Sequence, residues 1–90
     1  AANDLVAFGA ANTLLNQGIS IPQNLSVAGF GNVLSAEYFR VPLTTVRQPK
    51  YRRGLAAMES MKSLLAGESV SPKRLPAELA IRKSTAAPGA

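Results

Sequence analysis

The sequence predicts an α/β fold in which flanking helices cover a layered, mostly parallel sheet. Helical and strand-like segments alternate along the 90 residues in the order helix, strand, strand, helix, strand. The first strand-like run lacks the polar and apolar alternation of a half-exposed strand, which favours a strand covered on both faces. Apolar residues make up 47% of the chain, which argues for a packed core rather than disorder.

The first helix is predicted from Asp4 to Gln17. Asn3 is a favourable N-cap residue, and the carboxylate of Asp4 suits the positive end of the helix dipole. Apolar side chains then recur at helical spacing, and Gly18 is a natural C-terminal stop. These signals together define both ends of the helix.

Two strands and a second helix follow. The apolar run 25–30 and the β-branched run 43–46 are predicted strands, with a single helical turn between them near 34–38. Pro49 suits the first turn of a helix that continues to about Ala66, where Gly67 ends it. Residues 75–82 are predicted as the last strand. The second helix places four apolar side chains on one face: Leu55, Met58, Met61 and Leu65.

The composition excludes several classes of function. The chain has no Cys and no His, which removes disulfides, thiolate ligands and the commonest general base. No carboxylates are paired at a useful spacing, and no Ser or Thr lies beside a plausible base. We therefore predict no catalytic residue, no metal site, no cofactor and no enzyme activity. Apolar stretches are far shorter than the roughly 20 residues that span a bilayer, so no membrane partner is expected.

The net charge of +5 is dispersed along the chain. One loose basic group spans 40–53 and another spans 73–83, and no aromatic ladder interleaves them. This pattern favours solvated surfaces, or salt bridges to parts of a longer chain, over a nucleic-acid interface.

Two loops leave the carboxyl ends of the predicted strands, where α/β sheets bind ligands. The first contains the sequence Gly-Phe-Gly-Asn at 29–32, which lacks the third glycine of a dinucleotide fingerprint; a strand-ending turn or another kind of ligand loop are the alternatives. The second contains Gln48, a simple spacer or a planar amide suited to sugar or nucleobase edges. Asn3 is foremost a cap, but helix N-termini also suit polar ligands.

Four segments, in order and at matching spacing, follow the pattern of one family. They are Asn3–Ala10 (NDLVAFGA), Gly18–Phe30 (GISIPQNLSVAGF), Pro42–Pro49 (PLTTVRQP) and Leu79–Thr85 (LAIRKST). Through them, residues 3 to 88 resemble the LacI/GalR bacterial transcription regulators. The resemblance implies a fragment of a periplasmic-binding-protein-like (type I) fold, the C-terminal part of an effector-binding domain.

The resemblance also implies a function and a division of the chain. It implies the effector-sensing and dimerisation segment of a cytoplasmic repressor or activator, a homodimer that binds a sugar, nucleoside or related effector. Operator DNA would be bound by a helix-turn-helix headpiece absent from this chain. By analogy, 1–47 belong to the C-terminal subdomain, 48–83 form a hinge-crossing helix and strand, and 84–90 form a flexible tail. A periplasmic sugar-binding protein of the same fold is the alternative, although the ending Arg82–Thr85 favours the regulator.

The family's ligand-contacting positions fall on Asn3, Gly31 and Gln48. Gly31 stands where the family usually has Asp, so a carboxylate that would accept hydrogen bonds from sugar hydroxyls is missing. The family's homodimer uses the first helix and the segment after the Gly-Phe loop. The aromatic residues at those positions are Phe8, Tyr38 and Phe39, for which core packing is the alternative role.

Overall fold

The computed structural model describes residues 1–89 and contains, within them, two helices, one 3-10 turn and two short strands. They are helix α1 (Asp4–Asn16), the 3-10 turn Leu34–Glu37, strand β1 (Thr45–Arg47), helix α2 (Lys50–Leu65) and strand β2 (Glu78–Ala80). The chain divides into two compact units. The first comprises Ala1–Arg47 and the chain from Glu78 onward, and the second comprises Gln48–Ala77.

Helix α1 begins and ends close to its predicted bounds. The Asn3 side chain caps it by accepting a hydrogen bond from the Val6 amide at 2.9 Å, and Gly18 follows its end with a positive φ of 83°. Its buried residues are Asp4, Ala7 and Ala11. Small side chains therefore line the inner face, which lets the helix backbone approach its neighbours closely.

The sheet of the first unit is short. Strand β1 pairs with β2 in the antiparallel sense, with Thr45 opposite Ala80. Ala28 and Thr44 form one parallel bridge, and the amides of Gly29 and Gly31 donate to the carbonyls of Thr44 and Val46, each at 2.9 Å. The predicted strand 25–30 is thus an extended segment that runs parallel to β1 with a single bridge. The predicted strand 75–82 is shortened to β2.

The core of the first unit lies between α1, the 3-10 turn and the segment before β1. Ala7, Ala36 and Leu43 are buried together, and Phe8, Val27 and Val33 pack against them. The helical turn expected near 34–38 is confirmed, and its role is to place Ala36 in this core.

The segment after β2 is bonded to the sheet. The buried Ser84 hydroxyl donates to the Val27 carbonyl at 2.5 Å and accepts from the Thr44 amide at 2.8 Å. The hydroxyls of Thr85 and Thr44 lie 2.8 Å apart. Ser84 and Thr85 begin the segment 84–90, for which the sequence predicts a flexible tail, and their own side chains bond to Val27 and Thr44. Ala90 lies outside the described residues.

The second unit contains α2 and the chain that follows it. Pro49 precedes the helix as its N-cap, one residue earlier than the first-turn position expected from the sequence, and Gly67 follows its end with φ 81°. No residue of α2 is buried, and the predicted apolar face formed by Leu55, Met58, Met61 and Leu65 is exposed. No helix within residues 1–89 is long and apolar enough to span a membrane.

Candidate ligand-binding site

The carboxylate of Asp4 joins three segments of the first unit. Its Oδ2 accepts the Val33 amide at 2.7 Å, and its Oδ1 accepts the Thr45 hydroxyl at 2.6 Å. The Asp4 amide donates to the Phe30 carbonyl at 3.2 Å. The side chain is fully buried, with 0% exposure. The start of α1, the loop after Phe30 and strand β1 therefore meet at the Asp4 side chain. From the sequence, we predicted only a favourable interaction of this carboxylate with the helix dipole.

Gly29 leaves the space that this carboxylate occupies. A Cβ at Gly29 would overlap the Asp4 carboxylate and approach the Leu43 side chain to 2.9 Å. The first glycine of the Gly-Phe-Gly-Asn sequence is thus explained by packing between a strand-like segment and a helix start.

The loop 31–33 is fixed by its own amides. The Gly31 amide donates to the Val46 carbonyl at 2.9 Å, the Asn32 amide to the Thr45 hydroxyl at 3.3 Å, and the Val33 amide to Asp4. Gly31 and Asn32 both have positive φ, 117° and 56°. Because all three amides already have partners, the loop has no free N–H groups with which to bind a phosphate. This hydrogen bonding is that of a strand-ending turn, and it argues against phosphate binding.

Arg82 fixes the same loop from the other side. Its guanidinium donates to the Asn32 side-chain oxygen at 2.8 Å and to the Leu43 carbonyl at 2.9 Å. The Arg82 amide donates to the Thr44 hydroxyl at 2.9 Å. The side chain of Asn32 is therefore engaged within the fold, and it does not stand in for the carboxylate that Gly31 lacks.

The structure brings together the segments that carry two of the three predicted ligand residues. Asn3 precedes Asp4 and Gly31 follows Phe30, so the amide-to-carbonyl bond between Asp4 and Phe30 brings their segments together. Asn3 is exposed, and beyond its cap bond its side-chain nitrogen makes no hydrogen bond to residues 1–89. Gln48 is half-buried and is the first residue of the second unit, where its carbonyl accepts the Lys50 amide at 2.8 Å.

The three predicted dimer residues differ in their surroundings. The rings of Phe8 and Phe39 stack with centroids 4.6 Å apart and planes 20° apart, and Phe8 packs against the core. Tyr38 is 76% exposed. Core packing therefore accounts for part of the Phe8 surface, whereas most of the Tyr38 surface is exposed.

The sequence did not reveal the buried residues whose hydrogen bonds hold the candidate site together. The side chains of Asp4, Thr45 and Arg82 form hydrogen bonds with partners 29 to 50 residues away in the sequence. The local pattern around each residue does not predict these bonds. No group of three or more His, Cys, Asp or Glu side chains in the described part of the chain is placed to bind a metal ion.

Comparison with known proteins gives the family. The model of the periplasmic binding protein-like domain matches residues 1–85. The transcriptional repressor PurR of Vibrio atlanticus is 51% identical over 57 residues, which cover 63% of this chain and 17% of that protein. The repressor CytR of Escherichia coli is 36% identical over 87 residues, which cover 94% of this chain and 26% of that protein.

Solved structures of transcription regulators superpose on this chain. The lac repressor dimer bound to operator and the anti-inducer ONPF superposes with a TM-score of 0.89 at 30% identity, over 96% of this chain and 30% of that one. A LacI family regulator from Enterococcus faecium with bound ribose superposes with a TM-score of 0.83 at 33% identity, over 94% of this chain and 32% of that one. The chain therefore belongs to the periplasmic binding protein-like domain family, among the LacI/GalR transcription regulators. It spans between 17% and 32% of the length of these relatives.

Proposed function

We propose that this chain is the effector-sensing and dimerisation segment of a cytoplasmic, LacI-type DNA-binding transcription regulator. The observation that carries the proposal is the junction at Asp4, where the segments bearing Asn3 and Gly31 lie together. Those are positions at which the resemblance implies effector contact. Similarity to a regulator that contains ribose, and to repressors named for transcriptional control, supports the same function.

The effector we propose is a small polar molecule such as a sugar or nucleoside. The exposed side-chain amide of Asn3 supplies donors at a helix N-terminus, and Gly31 leaves open space where the family has a carboxylate. Recognition at this side would then rest on neutral hydrogen bonds. We propose no catalytic step, because binding of this kind needs no nucleophile or general base.

The wider architecture belongs to the same proposal. Residues 1–47 would form part of the C-terminal subdomain within a layered, mostly parallel sheet, and 48–83 would cross a hinge that brings Gln48 to the effector. A homodimer would use the surface that contains Tyr38, next to the stacked Phe8 and Phe39. Operator DNA would be bound by a headpiece encoded outside this segment.

The test uses the full-length regulator. Calorimetry with a panel of sugars and nucleosides identifies the effector, and a mobility-shift assay on the regulator's own promoter measures operator binding. Gln48→Ala is expected to weaken the effector response while operator affinity without effector stays nearly unchanged, because the proposed place of Gln48 is at the hinge and cleft, far from the DNA-binding headpiece. Equal loss of both activities would indicate a folding role.

Asn3 needs a variant that separates its two roles. Asn3→Ser retains a capping hydroxyl but removes the amide donors, so it is expected to weaken effector binding at nearly constant stability. Asn3→Ala removes both and is expected to cost about 1 kcal/mol of stability as well. If Asn3→Ser binds the effector as tightly as the unaltered protein, Asn3 is a cap and not a ligand.

A further inference from the structure

We propose that Asp4 and Thr45 are positioning residues for effector binding, acting as a buried pair that joins the start of α1 to the loop 31–33. This inference rests on the proposed function for its effector, although its structural part stands on the contacts alone. Neither residue would touch the effector. Asp4 would act through the adjacent Asn3, and Thr45 through its hydrogen bond with the Asn32 amide.

The pair is a continuous chain of hydrogen bonds. Thr45 donates its hydroxyl hydrogen to Oδ1 of Asp4 at 2.6 Å, and the Thr45 hydroxyl oxygen accepts the Asn32 amide at 3.3 Å. The second carboxylate oxygen accepts the Val33 amide at 2.7 Å. Asp4 and Thr45 are both 0% exposed, so these bonds are shielded from water and their loss leaves buried polar atoms without partners.

The pair is closely linked to two of the three candidate ligand positions, Asn3 and Gly31. Asn3 immediately precedes Asp4, and Gly31 immediately precedes Asn32, whose amide bonds to Thr45. The Asp4 amide also donates to Phe30, on the other side of Gly31. Any shift of the carboxylate therefore moves the helix start and the loop relative to each other, and with them Asn3 and Gly31.

The loop relies on these bonds because its backbone conformation is unusual. Asn32 has φ 56°, a left-handed conformation that side chains other than glycine seldom adopt. Two of the three loop amides that fix this conformation end on Asp4 or Thr45. Without the pair, the loop is expected to relax toward conformations that place Gly31 elsewhere, which lowers the fraction of binding-competent molecules.

Three substitutions in the full-length regulator separate positioning from general stability. Thr45→Val keeps the shape of the side chain but removes the hydroxyl, Thr45→Ser keeps the hydroxyl, and Asp4→Asn keeps one acceptor oxygen. Thr13→Val is the matched control, because it removes a threonine hydroxyl that bonds only to the Gly9 carbonyl of its own helix, at 2.9 Å.

Amide hydrogen exchange tests the structural part with no ligand present. Thr45→Val is expected to speed exchange at residues 31–33 and at the first turn of α1 by roughly tenfold or more. Thr45→Ser and Thr13→Val should leave both segments within about twofold of the unaltered protein. Unchanged exchange in both segments of Thr45→Val would overturn the proposal, whether or not an effector is found.

Calorimetry tests the functional part, with ribose, adenosine and cytidine as probes. For whichever probe the unaltered regulator binds, Thr45→Val is expected to raise Kd about tenfold or more, Asp4→Asn less, and Thr45→Ser about twofold at most. Operator affinity without effector should stay constant. Equal probe affinity in folded Thr45→Val and unaltered protein would reduce the pair to a stabilising role. Failure of the unaltered regulator to bind any probe would instead count against the proposed effector class.

Discussion

Arg82 and Asn32 are joined across fifty residues of chain by a hydrogen bond of 2.8 Å from the guanidinium to the side-chain oxygen. The same guanidinium reaches the Leu43 carbonyl at 2.9 Å. One planar group thus links the loop after Phe30, the segment before β1 and the chain after β2. Because Asn32 is engaged in this way, its side chain is not free to supplement a ligand contact at Gly31.

Arg82→Lys is expected to lower the free energy of unfolding by about 1–3 kcal/mol. A single ammonium group cannot reproduce a planar donor that serves two acceptors at once, so either Asn32 or Leu43 loses its partner. Urea unfolding of the full-length protein, followed by circular dichroism, measures the change. The neighbouring exposed Lys83 provides the control, since Lys83→Arg should leave the midpoint unchanged. Equal midpoints for Arg82→Lys and the unaltered protein would show that these bonds add nothing to stability.

Ser84→Ala is expected to destabilise the protein by about 1–3 kcal/mol, although it removes a single oxygen atom. That oxygen donates to the Val27 carbonyl and accepts from the Thr44 amide, and Ser84 is buried. Both backbone groups would be left without their partner. Ser26→Ala is the matched control, because Ser26 is exposed and its two longer bonds to the Ala86 backbone, at 3.1 and 3.4 Å, are open to water. Thermal unfolding midpoints that fall equally in the two variants would contradict the role assigned to burial.

Local signals were sufficient for the helices and turns. The cap at Asn3, the stop at Gly18 and the turn near 34–38 depend on contacts within a few residues, and all three were predicted. The periplasmic-binding-protein-like fold itself came from four spaced motifs and is confirmed by the family match.

Pairing between distant segments was not predictable in the same way. The antiparallel register of Thr45 with Ala80 is set by partners 35 residues apart in sequence, and the run 25–30 forms only one bridge. Asp4 is the clearest case, because an acidic residue in a first helical turn is usually a solvated partner of the helix dipole. Its burial depends on Gly29 making room for it and on Thr45 bonding to it, and neither follows from the pattern around residue 4.

Two glycines of the Gly-Phe-Gly sequence are expected to respond to substitution for different reasons. Gly29→Ala would place a methyl group against the Asp4 carboxylate and the Leu43 side chain, so a loss of several kcal/mol is expected, on the order of that for overpacking a core. Gly31→Ala meets open space, and its cost of about 1 kcal/mol comes only from its φ of 117°. Denaturant midpoints of the two variants measure the difference, and a reversed order would contradict this assignment.

Gly31→Asp follows from the same geometry. It restores the residue type that the family usually has, and in the full-length regulator it is expected to tighten or broaden the binding of hydroxyl-rich ligands. The positive φ at this position also makes it less stable than the unaltered protein by about 1 kcal/mol. A calorimetric sugar and nucleoside panel together with an unfolding curve separates the two effects. An unchanged panel would show that a carboxylate at position 31 does not reach the effector.

The isolated 90-residue chain is expected to self-associate and to bind effector poorly. Its surface carries large apolar side chains that a stable monomer would cover, among them Leu34, Leu65 and Tyr38, with exposures of 85%, 81% and 76%. Such surfaces recruit further copies of the chain.

Light scattering across a dilution series measures the association, and charged substitutions on the two units identify the surface responsible. Leu34 begins the 3-10 turn that ends just before the predicted dimer residue Tyr38, whereas Leu65 is the last residue of α2. The two substitutions are Leu34→Glu and Leu65→Glu. If copies associate through the surface near Tyr38, a charge at position 34 would be buried between them, which costs more than a charge in water. We therefore expect Leu34→Glu to lower the apparent mass at a given concentration more than Leu65→Glu. A compact monomer at high concentration, with slow amide exchange along β1 and β2, would show that the chain needs no partner to complete its core.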